Sequence, residues 1–203
     1  MPRKNTPDAR NRILQTAVKI FAEKSFEGSR IDEIAREAGV PKSLIYYHFK
    51  SKDDILEVLT QNFIDEYMSL IRAAEQDTHE KKAQELSQRI QNQYAAFGQR
   101  NADLIRVMFI DSLKKSKEEP ILFKVVEEMV AAESKFPHFQ ASAKYNVQER
   151  RVAEFFTSMI PLYSYICFAE SWTKYFGIEK EVFGKLFMDI VIKAHADYHK
   201  THD

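Results

Sequence analysis

The 203-residue sequence has few of the residues on which many enzyme and metal sites depend. Cys167 is its only cysteine, which excludes an intramolecular disulfide and a zinc site built from several cysteines. Its five glycines are too scattered to form a phosphate-binding loop or a nucleophile elbow. The sequence therefore argues against nucleotide-binding enzymes and hydrolases of these types, and we predict no cofactor.

Long apolar runs and strand patterns are also missing. No stretch reaches the ~18 consecutive apolar residues of a membrane span, and residues 1–12 are polar, without the apolar core of a signal peptide. Runs of β-branched residues between turn signals are absent as well. Because 44% of the residues are hydrophobic and 12% are aromatic, the chain can still fill a sizeable core. The sequence predicts an all-α, cytoplasmic protein without a membrane partner.

The sequence has no net charge, because 30 Lys or Arg balance 30 Asp or Glu. This balance argues against a basic coat spread over the whole molecule. The charges are unevenly placed, since residues 1–50 hold ten Lys or Arg against six Asp or Glu. A basic amino-terminal part on an otherwise acidic body indicates a localised contact with DNA.

Residues 28–56 have the spacing of short helices joined by tight turns. Ser29 is expected to cap the first of these helices through its hydroxyl group. Gly39 can adopt the left-handed conformation of a turn, and Pro41 suits the first position of the next helix. Two helices joined in this way form a helix-turn-helix, expected at about residues 30–49. Ser51 and Asp54 then predict a capped third helix.

The second helix, predicted over residues 42–49, can be divided by angle at about 100° per residue. Ile45 and Phe49 point to one side and would anchor the helix. The other positions offer hydroxyls, rings, an aliphatic group and a cation, which suit the base edges, thymine methyls and phosphates of a major groove. The residues predicted to contact DNA are Ser29, Arg30, Lys42, Ser43, Leu44, Tyr46, Tyr47, His48 and Lys52.

The run IAREAGVPKSLIYYHFKSKDDIL resembles the amino-terminal domain of the TetR family of transcriptional regulators. The usual pattern of that family is roughly IA-x-x-AGVSKGTLYYHF-x-SKE-x-L, and the likeness covers about the first 65 residues. Pro41 and Ile45 are departures that conserve the fold, whereas Ser43 and Leu44 lie on the groove side and should alter the DNA sequence that is bound. The resemblance implies a homodimeric regulator, usually a repressor, whose carboxy-terminal domain binds a small molecule.

The domain organisation follows from the helix lengths. An additional helix that begins at Thr6 and Pro7, before the helix-turn-helix, should cover it. The third helix, predicted from Lys52 to about Ala74, is too long for a 50-residue domain and should be the only element that touches both domains. We expect a DNA-binding domain over residues 7–67 and a larger helical ligand-binding and dimerisation domain over residues 68–203.

The second domain should consist of further helices. Residues 101–113 are apolar in almost every direction, which predicts a buried helix. Arg106 and Asp111 are its charged exceptions and are expected to reach the rim or to pair with other helices. Pro161 either kinks one helix over residues 149–176 or splits it in two. Other helices are predicted at about 81–100, from Pro120, and at about 180–199.

Aromatic residues are frequent in the second domain, and a subset could line an apolar cavity in which tyrosine hydroxyls or Arg106 orient a ligand. The candidate pocket residues are Phe63, Tyr67, Tyr94, Phe97, Arg106, Phe109, Phe123, Phe156 and Tyr163. The last two long helices should form a four-helix bundle with those of a second copy. The predicted interface residues are Phe183, Leu186, Phe187, Ile190 and Val191.

Two functional hypotheses follow. The first is a ligand-responsive regulator that binds a near-palindromic double-stranded operator as a homodimer and is released by a small apolar or aromatic effector; such a protein is not an enzyme. The second is an all-α enzyme or metal-binding protein that uses an acid pair or the carboxy-terminal histidines His195, His199 and His202, of which the first two lie one helical turn apart. The helix-turn-helix favours the first.

Overall fold

The chain is described here from a computed structural model that covers residues 6–76, 93, 96–114, 119–135 and 146–202. These residues form helices and short connections and contain no strand, as predicted. The helices are α1 (Thr6–Gly28), α2 (Ile31–Glu37), α3 (Lys42–His48), α4 (Lys52–Gln76), α5 (Ala102–Ser112), α6 (Ile121–Glu133), α7 (Val147–Ala153), α8 (Ile160–Phe176) and α9 (Lys180–His202). A π-helical turn, Glu154–Met159, joins α7 to α8, and residues 96–100 are also helical.

Some predicted features fall outside the described residues. Most of the helix expected at about 81–100 lies there. Tyr94, one of the candidate pocket residues, is also outside this part of the chain.

Helix α1 has one apolar face that covers the helix-turn-helix, as predicted. Ile13, Ala17 and Phe21 are at most 1% exposed, and α1 packs on α2, α3 and α4. The same helix also packs extensively along α5 in the second half of the chain. The prediction that α4 alone touches both domains is therefore wrong, because the end of α1 makes a second connection.

The turn between α2 and α3 forms as the sequence indicates, with two corrections. Gly39 has a φ of 64°, in the left-handed region that favours glycine. Pro41 is the residue before α3 and not its first residue. The predicted cap of α2 is wrong: Arg30 occupies the capping position without a side-chain bond, while the Ser29 hydroxyl donates to the Phe26 carbonyl (2.6 Å).

The start of α4 has the predicted cap. The Ser51 hydroxyl accepts the Asp54 N–H (3.1 Å), and the Asp54 carboxylate accepts the Lys50 N–H (2.7 Å). These two bonds satisfy amide groups that have no partner within the helix. The helix then continues for 25 residues, as its apolar pattern predicts.

Helix α5 is central, as predicted, and its charged residues pair. Ile105 and Met108 are completely buried. Arg106 pairs with Asp103 within the same helix (3.5 Å), whereas the carboxylate of Asp111, 1% exposed, pairs with Lys114 (3.1 Å). Both of these partners lie on the same segment as α5, and Lys114 also contacts Glu27 of α1.

Pro161 does not split its helix. The chain from Val147 to Phe176 is one continuous helix of 30 residues, and the π-helical turn lies immediately before α8, which contains the proline. Proline has no N–H and clashes with the carbonyl four residues earlier, here that of Thr157. The wider turn accommodates this conflict, and its extra residue rotates the side chains that follow by about 100°.

This 30-residue helix is long and apolar enough to cross a membrane by length and composition alone. From the sequence we expect no segment of the length and apolar composition of a membrane span. Within the described part of the chain, this helix corrects that expectation. Length and composition do not separate a membrane span from a helix that packs against protein. Phe156, Phe168, Trp172 and Tyr175 are between 46% and 83% exposed, so the helix has an apolar face that the described residues do not cover.

Helix α9 packs against α8 through rings. Phe183 stacks on Tyr165 at a centroid distance of 5.5 Å, and Phe187 lies 4.7 Å from the same ring. Leu186 and Ile190 point away from these contacts and are 56% and 66% exposed. The two predicted phenylalanines thus stabilise the helix pair within the chain, while the aliphatic residues extend the exposed apolar face.

Candidate nucleic-acid interface

Helix α3 is fixed to the domain by two buried side chains. Ile45 is completely buried and Phe49, immediately after the helix, is 2% exposed, as the angular pattern predicts. The guanidinium group of Arg10 lies 5.5 Å from the Phe49 ring centroid. Ile45 and Phe49 are four residues apart and are both buried on one side of the helix. The other side of the helix therefore faces outward.

That face carries exposed hydroxyl groups and rings. Tyr47 is 76% exposed and Tyr46 is 52% exposed, and Ser43 and Lys42 are exposed beside them. Leu44 is half-buried and packs on the core. The exposed surface therefore includes fewer of the predicted contact residues than the angular assignment suggested, and Tyr47 protrudes most.

His48 is only partly available on this face. Its ring is half-buried and packs edge-on against Tyr47 at 5.0 Å. Within the described residues its Nε2 atom is buried and has no hydrogen-bond partner. A direct contact between this atom and a base edge would require the side chain to move, so the structure favours Tyr47 over His48 as the sequence-selective group.

The Lys42 ammonium group is paired within the domain. It contacts the Asp32 carboxylate of α2 at 2.6 Å and lies 5.9 Å from the Tyr46 ring centroid. The hydrogen bond that the Lys42 ammonium donates to the Asp32 carboxylate raises the pKa of Lys42. Sequence patterns did not indicate this pair, because its members lie on different helices. Asp32 places a negative charge beside a cation that would otherwise be available to phosphate.

We expect Asp32→Asn to strengthen binding to duplexes of any sequence by about threefold to tenfold, because the Lys42 ammonium can then neutralise a phosphate. Each additional phosphate contact should steepen the salt dependence by about 0.9 in log–log slope. Binding isotherms at several salt concentrations measure both quantities. Asp189→Asn is the matched control, since it removes a similar exposed pair with Lys193 (2.7 Å) far along the chain. An unchanged slope in Asp32→Asn would contradict the expectation.

Two other predicted contact residues are directed inward. Ser29 is 3% exposed, and its hydroxyl bonds the Phe26 carbonyl. The Lys52 ammonium donates to the carbonyls of Phe26 (2.5 Å) and Ser29 (3.1 Å) and lies 4.5 Å from the Phe26 ring centroid. This placement favours a structural role for both side chains, while Arg30 stays exposed.

Lys52→Met is therefore expected to lower the free energy of unfolding by about 1–3 kcal/mol, because hydrogen bonds from a charged donor to carbonyls are lost. Chemical denaturation measures this change. Lys50→Met, at an exposed position two residues earlier, should stay within about 0.5 kcal/mol. A Lys52→Met protein with unchanged stability and a reduced salt slope in DNA binding would instead support the phosphate contact predicted from the sequence.

Four of the nine candidate pocket residues meet in one aromatic cluster. Phe63 of α4 lies 4.8 Å from Phe97 and 6.3 Å from Tyr163, and Tyr67 lies 5.8 Å from Phe97. Phe63, Phe97 and Tyr163 are at most 8% exposed. Burial raises the pKa of the Tyr163 phenol well above its usual value. The cluster joins the second half of α4 to the segment 96–100 and to α8.

The other candidate pocket residues lie elsewhere. Phe123 and Phe156 are 56% and 64% exposed and both pack on Phe155 at the surface. Phe109 is half-buried. Arg106 lines a shallow groove between α1 and α5. The sequence could not distinguish these residues from those of the buried cluster, because the spacing of aromatic residues does not show which helices pack together.

Of the three candidate metal-binding histidines, the side chains of His199 and His202 lie outside the described part of the chain. His195 contacts the Thr157 hydroxyl through Nδ1 (2.9 Å), and its Nε2 lies 3.8 Å from the Glu154 carboxylate. Across the described parts of the chain, no group of three His, Cys, Asp or Glu side chains is arranged to hold a metal ion. His195 thus connects α9 to the π-helical turn.

Comparison with known proteins identifies the amino-terminal helices. Residues 13–59 match the family profile described as "Bacterial regulatory proteins, tetR family". The amino-terminal helices of this chain are thus similar to the TetR family over these residues. The matched residues extend from α1 into α4 and include the whole helix-turn-helix, which confirms the resemblance noted in the sequence.

The curated proteins to which this chain is similar are transcriptional regulators. The chain is 30% identical over 113 residues to the HTH-type regulator YerO of Bacillus subtilis, covering 55% of this chain and 39% of YerO. It is 42% identical over 60 residues to HbdR of an Aromatoleum species, covering 30% of this chain and 26% of HbdR. The matches thus span less than half the length of these relatives.

Solved structures of bacterial regulators share the fold. FadR of Bacillus halodurans is 18% identical, with a TM-score of 0.62 and coverage of 90% of this chain and 97% of FadR. FadR of Bacillus subtilis, solved with stearoyl-CoA, is also 18% identical, with a TM-score of 0.61 and coverage of 91% and 98%. The relatives and structures named here are regulators and not enzymes, which favours the regulator hypothesis over that of a helical enzyme.

Proposed function

We propose that the protein is a sequence-specific, homodimeric DNA-binding repressor of the cytoplasm, released from a near-palindromic operator by a small apolar or aromatic molecule. The observation that carries the proposal is the exposed face of α3 around Tyr47, which is 76% exposed while Ile45 behind it is completely buried. A rigid helix that projects rings and hydroxyls suits the major groove. Contact with water alone does not favour exposed aromatic rings on one face of a helix.

The homodimer is supported by the apolar face of α8 and α9. Phe168, Trp172, Leu186 and Ile190 are each at least 46% exposed, which is costly for a surface that faces only water. A second copy of the same face would bury it as a four-helix bundle. The occupant we propose is thus another protomer and not a membrane.

The effector response is supported by the aromatic cluster on α4. Phe63 and Tyr67 belong to the helix that begins at Lys52 beside α3, so a molecule that separates the cluster would tilt this helix. Such a molecule controls DNA binding only if its affinity differs between two arrangements of the dimer. We place the boundary between the DNA-binding domain (7–67) and the ligand-binding domain (68–203) within α4, next to this cluster.

Selection from a pool of randomised duplexes tests the DNA-binding proposal. The protein should enrich a sequence with two-fold symmetry, whose half-sites are about one helical turn or a multiple apart. Enrichment of no sequence, with equal retention of all duplexes, would contradict it.

The effector proposal is tested by titrating the complex with the selected duplex. Stearoyl-CoA is the first compound to use, because the similar regulator of Bacillus subtilis was solved with it, and molecules found by mass spectrometry of the purified protein follow. A compound that binds tightly but leaves the affinity for DNA unchanged is not an effector.

A further inference from the structure

The end of α1 is joined to α5 by a chain of ion pairs. Lys114, two residues after α5, contacts the Glu27 carboxylate of α1 and lies 3.1 Å from the Asp111 carboxylate. Asp111 is 1% exposed, the Lys114 side chain 26% and the Glu27 side chain 57%. The lysine thus connects a buried carboxylate in the second half of the chain to the turn that precedes the helix-turn-helix.

The contact between Glu27 and Lys114 favours the ionised form of both side chains. The hydrogen bond from Lys114 lowers the pKa of Glu27. Burial of Lys114 opposes its protonation, but the hydrogen bonds to Glu27 and Asp111 outweigh this effect and raise its pKa. Apolar side chains of both helices, including Phe21 and Ile110, line the groove beside the lysine, which limits screening by water.

The turn that carries Glu27 is itself held on two sides. Ser25 has a φ of 64°, a conformation that L-residues other than glycine rarely adopt, and its hydroxyl accepts the Gly28 N–H (3.3 Å). On the other side, Lys52 at the start of α4 bonds the Phe26 carbonyl. A displacement of Glu27 is therefore transmitted to the beginning of both α2 and α4.

We propose that Lys114 is a positioning residue for DNA recognition: through Glu27 it fixes the orientation of the helix-turn-helix relative to the carboxy-terminal domain. In a homodimer this orientation sets the separation of the two α3 helices. The role rests on the proposed function, because it concerns a dimer bound to two half-sites. The carboxy-terminal domain would then control DNA binding through two connections. One is α4, and the other runs from α5 through α1.

Glu27→Gln tests the role, because it removes the outer arm of the link at an exposed position and leaves Lys114 beside Asp111. The duplex selected by the wild-type protein and a duplex with only one of its half-sites are both titrated. We expect the affinity for the complete palindrome to fall by about threefold to twentyfold, since each protomer loses one ion pair. The affinity for the single half-site should stay within about twofold. Equal losses on both duplexes, or no loss on either, would overturn the proposal.

Two controls separate positioning from general charge effects. Glu127→Gln removes an exposed ion pair with Arg151 (2.8 Å) inside the carboxy-terminal domain and should leave both affinities unchanged. In a chain that carries Lys114→Met, Glu27→Gln should have no further effect, because its partner is already gone. A further loss of the same size would show that Glu27 acts independently of Lys114 and would overturn the proposal.

Amide hydrogen exchange without DNA tests the link separately from the proposed function. Glu27→Gln should speed exchange in α2 and at the end of α5 by about threefold or more, whereas Glu127→Gln should not. If the wild-type protein selects no duplex, the proposed DNA-binding function fails while this measurement still decides the link. Unchanged exchange in Glu27→Gln would mean that the ion pair does not hold the turn, and the proposal would fall.

Discussion

Leu186→Glu combined with Ile190→Glu is expected to convert the protein into monomers and to weaken binding to the palindromic duplex by about a hundredfold or more. Leu186 and Ile190 are more than half exposed in the single chain, and burial of such a side chain contributes about 1.5–3 kcal/mol. The dimer would bury four of them. Its loss removes the second half-site contact, and avidity of this kind is worth about 10²–10⁴ in affinity.

Sedimentation at micromolar concentration measures the dimer, and titration of the selected duplex measures its consequence. Glu181→Ser combined with Lys185→Ser is the control, because these exposed side chains lie on the other side of the same helix from Leu186 and Ile190. The control should remain dimeric. A glutamate variant that sediments as a dimer would place the interface elsewhere and contradict the proposed bundle.

Tyr47→Ala should have the second largest effect. The side chain is the most exposed ring on α3, and its removal should weaken binding to the selected duplex by about 1–3 kcal/mol while binding to unrelated duplexes changes little. Competition titrations with both kinds of duplex measure the difference. Lys50→Ala, at an exposed position after α3, should instead weaken all duplexes alike. Tyr47→Ala with intact selectivity would mean that another face of the domain enters the groove.

Local sequence signals predicted the helix-turn-helix well. Gly39 and Ser51 act on their immediate neighbours, through a backbone conformation and through a cap, so their effects could be inferred without a fold. The burial of Ile45 and Phe49 followed from helical spacing in the same way. These signals are local, and the structure shows each of them where it was expected.

The roles of several charged residues could not be predicted from the sequence. The ammonium group of Lys52 was expected to contact phosphate, but it donates hydrogen bonds to the carbonyls of Phe26 and Ser29. The contact between Lys114 and Glu27 joins residues 87 positions apart. Likewise, the aromatic residues of the second domain separate into a buried cluster and a surface group only when the helices pack. Long-range contacts of this kind depend on the packing, which a periodic pattern does not specify.

Equilibrium titration of the wild-type protein with the selected duplex and with a shuffled duplex of the same composition tests the central claim most directly. A sequence-specific regulator should bind the selected duplex about 10³-fold or more tightly at moderate salt. Affinity for both duplexes should fall with increasing salt, because phosphate contacts contribute to each complex. Equal affinity for the two duplexes at every salt concentration would contradict the account.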